Sequence, residues 1–173
     1  MIVVSDTTPI SELAKVNYLN LLPKLFGRVM ILIGVHDELT TGQHPAALRV
    51  RELSWLDIVA VNNRLAVKEL QQAGNLDLGE SEAIALAEEM NADRLLIDEK
   101  AARRVAMARN LPLIGTMGVL LLVKRQGELE NVKDVLDQMQ QQGTRKARSS
   151  LYTGFDLGTR NVCLKNSGLT VIS

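Results

Sequence analysis

Cysteine is almost missing from this 173-residue chain; Cys163 stands alone. A single thiol closes no internal disulfide and builds no cysteine-rich zinc site. Its rarity fits a reducing cytoplasm, the location expected here. Aromatic residues make up 3% (two Phe, two Tyr, one Trp), too few for the stacking platforms on which many RNA binders splay bases. The two histidines, His36 and His44, lack the spacing of a zinc-binding HExxH helix. The longest apolar run, at 119–123, falls far short of the ~20 residues a membrane helix needs, and no membrane partner is expected. The opening MIVVSDTTP carries no basic stretch of the kind that begins a signal peptide.

An excess of charge of either sign is also lacking. Lys and Arg number 20, as do Asp and Glu, which excludes a strongly basic groove for duplex DNA or an anionic bilayer. The balance is uneven along the chain, however. Residues 144–173 hold Arg145, Lys146, Arg148, Arg160 and Lys165 against Asp156 alone, leaving 15 basic and 19 acidic groups for residues 1–143. Together with Gly154, Gly158, Gly168 and many Ser and Thr, this predicts a basic, flexible tail over 144–173 behind an acidic domain over 1–143.

What the chain does have is a regular alternation of apolar runs and helical stripes. Strands are expected at 2–5, 29–33, 56–61, 94–97 and 111–114. Helices are expected from Thr8-Pro9 onward to Pro23, then at 35–39, 46–53, 64–72, 80–90, 99–108, 115–125 and 132–141. Thr8 reads as the first N-cap and Pro9 as the first helical residue. The strands are continuous apolar runs without alternation, as in a parallel sheet covered by helices on both faces.

Ligands of open α/β sheets bind beyond the carboxyl ends of the strands. Asp6 follows the first strand and Asp98 the fourth; Glu38 stands one turn beyond the second; Glu80 and Glu82 open the helix before the fourth. Carboxylates crowded on one edge cannot all stay ionised without counter-charge, and an all-oxygen set suits Mg²⁺ or Mn²⁺ with waters retained. Such an ion can deprotonate a water and offset charge on a phosphodiester. Each acid also has a plainer role open to it. Asp6 or Asp98 can cap the next helix, Asp77 and Glu80 can form a capping box, and Glu38 and Glu82 can be solvated surface charges. Lys100, Arg103 and Arg104 share a helical face beside Asp98, either for a nucleic-acid backbone or for solvent. The Gly115-Thr116-Met117-Gly118 segment lacks the length and the lysine of a phosphate loop.

The segments VVSDTTPI (3–10), VHDEL (35–39), LDLGESEAIALA (76–87), LLIDEKAARRVA (95–106) and LPLIGTMGVLLLVKRQG (111–127) together resemble PIN-domain proteins of the DUF3368 branch, related to VapC-type toxins. The resemblance covers residues 1–143. It implies a three-layer α/β/α sandwich with a five-stranded parallel sheet, and Mg²⁺- or Mn²⁺-dependent cleavage of single-stranded RNA. Carried over onto this chain, the acids are Asp6, Glu38, Glu80 and Asp98, with Glu82 as the substitute third acid and Thr7 and Thr116 as supporting hydroxyls. A small antitoxin partner and a homodimer are implied as well. The alternative from a different class is a catalytically silent α/β module that acts by binding another protein.

Overall fold

The computed structural model describes residues 1–41, Val50 and residues 53–143, together with the backbone of a short antiparallel pair, Cys163–Lys165 with Gly168–Thr170. The strands are β1 (Val3–Ser5), β2 (Val29–Leu32), β3 (Leu56–Val59), β4 (Arg94–Leu96) and β5 (Leu113–Ile114). They form one all-parallel sheet in the order β3-β2-β1-β4-β5. Between them run α1 (Thr7–Lys15), α2 (Leu21–Phe26), α3 (Ile33–Thr40), α4 (Arg64–Gly74), α5 (Leu78–Glu89), α6 (Lys100–Ala108), α7 (Thr116–Arg125) and α8 (Val132–Gln141). The expected α/β/α sandwich is therefore the observed one.

Burial on both faces explains the apolar runs of the central strands β1, β2 and β4. Val3, Val4, Ile31, Leu95 and Leu96 are at most 1% exposed. With right-handed crossovers, α4, α5 and α6 cover one face while α1, α2, α3 and α7 cover the other. Helix α5 lies across β1, β2 and β4. Its run Ala83-Ile84-Ala85-Leu86-Ala87 is buried all round, and the alanines let the helix sit close to the sheet and its flanking helices.

Two expectations for the first helix are corrected. Helix α1 starts at Thr7, with Asp6 rather than Thr8 in the N-cap position, so Pro9 is its third residue; the first turn tolerates proline because its N–H groups have no intrahelical partner. The helix also stops at Lys15 instead of running to Pro23. Asn17 adopts a positive φ of 67° and breaks it, and Pro23 lies inside the separate helix α2. The same left-handed asparagine recurs at Asn75, Asn91 and Asn110, just beyond α4, α5 and α6, doing what glycine does at most helix ends. The helix expected at 46–53 falls mainly outside the described residues.

The strand order has one reversal. From β1 the chain moves outward through β2 to β3, then crosses back to β4 and continues to β5. The switch point lies between β1 and β4, whose neighbouring ends are tied by Asp6 N–H donating to the Leu96 carbonyl at 3.0 Å. This is where a parallel sheet opens a crevice.

Candidate active site

Asp6 and Asp98 leave the sheet on the two sides of that crevice, and their environments differ. Asp6 is 5% exposed. Its side chain makes no capping bond to α1, and the adjacent Thr7 N–H draws its carboxyl down. Desolvation pushes its carboxyl up to about 7, and the charges of Asp77, Glu80 and Glu38 push in the same direction. A buried acid facing three further acids has a deficit of positive charge around it.

Asp98 does not cap its own helix either, since Glu99 holds the N-cap position of α6. It is instead clasped from the start of α7: Oδ1 accepts the Thr116 N–H at 2.9 Å and Oδ2 accepts the Thr116 hydroxyl at 2.5 Å. Burial raises its carboxyl above the ordinary range; those two hydrogen bonds and the Arg103 charge act against the rise, and Glu12 adds to it.

The remaining acids divide. Glu38 is exposed on α3, and its Oε2 accepts the Thr7 hydroxyl at 2.7 Å. Thr7 thus orients a carboxylate and links the start of α1 to α3. Glu80 belongs to a complete capping box: its N–H donates to Asp77 Oδ1 at 2.8 Å, and its Oε2 accepts the Asp77 N–H at 3.1 Å. The plainer role for this pair is therefore present in the structure, yet both members also act on Asp6. Glu82 is not among the charges that act on Asp6. It turns instead toward α4, where Oε1 meets Arg64 at 2.6 Å, and toward the first turn of α3 at Gly34. Between these two acids the Ser81 hydroxyl is fully buried and has no hydrogen-bond partner among the described residues.

The Arg64–Glu82 pair joins an exposed guanidinium to a carboxylate only 10% exposed. Arg64→Ala leaves that nearly buried charge without its partner. A loss of about 1–2 kcal/mol is expected, less than for a fully buried pair because the arginine end is solvated. Urea unfolding measures it, and Arg64→Lys should recover part of the loss.

Asp77 is the residue that reading the sequence as a capping motif leaves out. Of the acids acting on Asp6 it is the strongest, ahead of Glu80 and Glu38. Gly79 lies between the two: a Cβ there would sit 3.8 Å from Asp6 Oδ1 and 3.5 Å from Asp77 Oδ1. The signal available in the sequence was the helix start itself, because an N-cap acid stands at the helix end nearest to the sheet edge.

The basic trio is split rather than shared on one face. Lys100 and Arg104 are exposed, whereas Arg103 folds back, donates to the Ile97 carbonyl at 2.8 Å and lies beside Asp98. Trp55 packs against the core. His36 faces Asp37 at 3.5 Å and takes no part in the acid group.

Among the described residues no three acids, histidines or cysteines stand close enough to ligate one ion as they are placed. The donor set nevertheless fits a hard divalent cation by its chemistry. It is entirely oxygen, it is short of positive charge at Asp6, and an ion that keeps most of its waters needs only one or two direct carboxylates.

A parallel α/β/α sandwich with acids gathered at its switch point defines the class to which the PIN domains belong. The family model of DUF3368, described as a PIN domain, matches residues 2–154, and the chain belongs to that family. PIN domains are usually nucleases and generally use divalent metals. Comparison with curated proteins and with solved structures gave no match. No helix among the described residues is long and apolar enough to cross a membrane.

Proposed function

We propose that this protein is a divalent-metal-dependent endoribonuclease acting on single-stranded RNA, and that it serves as the toxin of a toxin–antitoxin pair. The observation that carries the reading is Asp6: a carboxyl buried at the sheet's switch point, with Asp77, Glu80 and Glu38 around it, is in the state that a bound cation relieves. Asp6, Glu38, Glu80 and Asp98 would hold Mg²⁺ or Mn²⁺. When bound, the ion supplies an activated water and offsets the charge that develops on the phosphodiester. The side chains then have separate tasks. Thr116 holds the Asp98 carboxylate by two hydrogen bonds, Thr7 holds Glu38, and exposed Lys100 and Arg104 meet the phosphate backbone. With water as the nucleophile and the 3′-oxygen as the leaving group, the P–O3′ bond breaks and products carrying 5′-phosphate and 3′-hydroxyl ends are expected.

A second reading has its own support. Ile33, Leu65 and Leu78 are each more than half exposed and stand in the first turns of α3, α4 and α5. Apolar groups in that position suit a protein partner, either an antitoxin over the active site, a second copy in a homodimer, or the target of a module without activity.

One assay separates the readings. The purified chain is incubated with single-stranded RNA and Mn²⁺, with Mg²⁺, or with EDTA. Metal-dependent cleavage that disappears in EDTA is expected. Cleavage persisting in EDTA would remove the metal from the mechanism, and a wild type inert on every RNA with either metal would leave the binding module.

A further inference from the structure

The Gly115-Thr116-Met117-Gly118 segment has no phosphate-binding character, yet both of its glycines are sites of close approach. At Gly118 a Cβ would lie 2.7 Å from Ile114 Cγ1, which is a matter of seating α7 on β5. Gly115 is different, because what crowds it is polar. A Cβ there would stand 2.6 Å from Asp98 Oδ1, 3.3 Å from an Arg103 guanidinium nitrogen and 3.6 Å from the Ile97 carbonyl oxygen. The backbone does not demand glycine at this place. Its φ of −102° and ψ of 175° are ordinary extended values in the N-cap position of α7, open to any residue. Local conformation therefore gives no reason for glycine, and the reason lies across the sheet, in a carboxylate from the end of β4.

We propose that Gly115 is a positioning residue for the cleavage reaction: its bare Cα is the floor on which the Asp98 carboxylate rests while Thr116 holds it from α7 and Arg103 flanks it from α6. The proposal rests on the reading of Asp98 as a member of the active site. The three contacts act together. The Thr116 N–H and hydroxyl aim the two carboxylate oxygens. Arg103 is itself anchored on the Ile97 carbonyl and so brings a fixed positive charge to the same spot. Gly115 supplies the space in which these groups meet. A methyl group at residue 115 must push Oδ1 away by roughly 1 Å to reach ordinary contact, and displacements of that size at a reacting centre can cost on the order of 100-fold in rate.

The test is a cycle of four proteins: wild type, Gly115→Ala, Asp98→Ala and the double variant, each followed by thermal unfolding without added metal. Gly115→Ala is expected to lower the Tm by about 5 °C in the wild-type background, as overpacking does. In the Asp98→Ala background, where the carboxylate that the methyl meets is gone, the loss should shrink to below about 2 °C. In RNA cleavage Gly115→Ala should reduce kcat at least ~10-fold with KM within about twofold of wild type. Equal Tm losses in both backgrounds would overturn the proposal, as would a Gly115→Ala enzyme with wild-type kcat. Should Gly115→Ala alone fail to fold, the double variant must fold; its failure counts against the proposal. Coupled Tm values in a chain whose wild type cleaves no RNA would support the seating of Asp98 and overturn the ribonuclease reading instead.

Discussion

Freed of metal, the protein is expected to be less stable at pH 8 than at pH 5, by roughly 2–3 kcal/mol from Asp6 alone. The Asp6 carboxyl is raised from 3.8 to about 7 in the folded protein, chiefly by burial, and each pK unit corresponds to ~1.4 kcal/mol. Between the unfolded and folded values the native state binds a proton that the unfolded chain releases. Stability contributed by the protonated group is therefore fully present below pH 4 and falls as the pH rises through 7. Asp98 is shifted in the same direction, also by burial, and steepens the slope. The opposite shifts, at Asp57 beside Arg28 and at Glu89 beside Asn62, act only as the pH drops below the ordinary carboxylate range, outside this window. Urea unfolding in EDTA at intervals from pH 5 to pH 8 measures the slope. A flat profile would contradict the buried, uncompensated state of Asp6.

Asp6→Asn is expected to exchange activity for stability. Cleavage should drop at least ~1,000-fold, equivalent to about 4 kcal/mol of transition-state stabilisation, because a neutral amide is a poor partner for a cation and leaves the site one charge short. The same substitution removes the ionisation that costs stability at high pH. The metal-free variant should accordingly be more stable than wild type at pH 8, by a smaller margin at pH 5, and nearly equal to it only below pH 4. Added Mn²⁺ should raise the Tm of wild type but not of Asp6→Asn. Asp98→Asn should lose a similar factor in rate with a smaller gain in stability. Its carboxylate accepts from both the N–H and the hydroxyl of Thr116; an amide replaces these charge-assisted bonds with weaker neutral ones, its oxygen accepting the N–H and its NH₂ group donating to the hydroxyl oxygen. An Asp98→Asn variant stabilised as strongly as Asp6→Asn would show that the Thr116 clasp has little effect on the charged form.

Much of the architecture was legible along the chain because it depends on local pattern. Continuous apolar runs at 29–33 and 95–97 call for burial on both faces, so parallel strands and covering helices followed. Asp6 and Asp98 were legible as strand-end acids for the same reason: each directly follows a run that can only be a central strand. Where the pattern misled, tertiary packing or backbone geometry overrode it. The apolar spacing from Leu13 to Leu22 suited one long helix, but Asn17 takes a left-handed conformation and the chain turns there to bury Leu19, Leu21 and Leu22 separately. Lys100, Arg103 and Arg104 share a face by helical spacing, yet Arg103 finds the Ile97 carbonyl, a partner that spacing along α6 does not reveal. Asp77 looked like a cap and is one. Its closeness to Asp6 comes from laying α5 across β1, β2 and β4, some seventy residues away along the chain.

The sequence by itself determined the sheet, its covering helices and which acids stand at strand and helix ends, since burial and helix capping act between near neighbours. Only the tertiary structure decided which of those acids share an electric field. The reversal in strand order sets β1 beside β4, the N-terminal turn of α5 brings Asp77 and Glu80 to Asp6, and Arg64 draws Glu82 to another side. A charge acts through distance in space, and it takes the folded chain to make residues 6, 38, 77 and 80 neighbours.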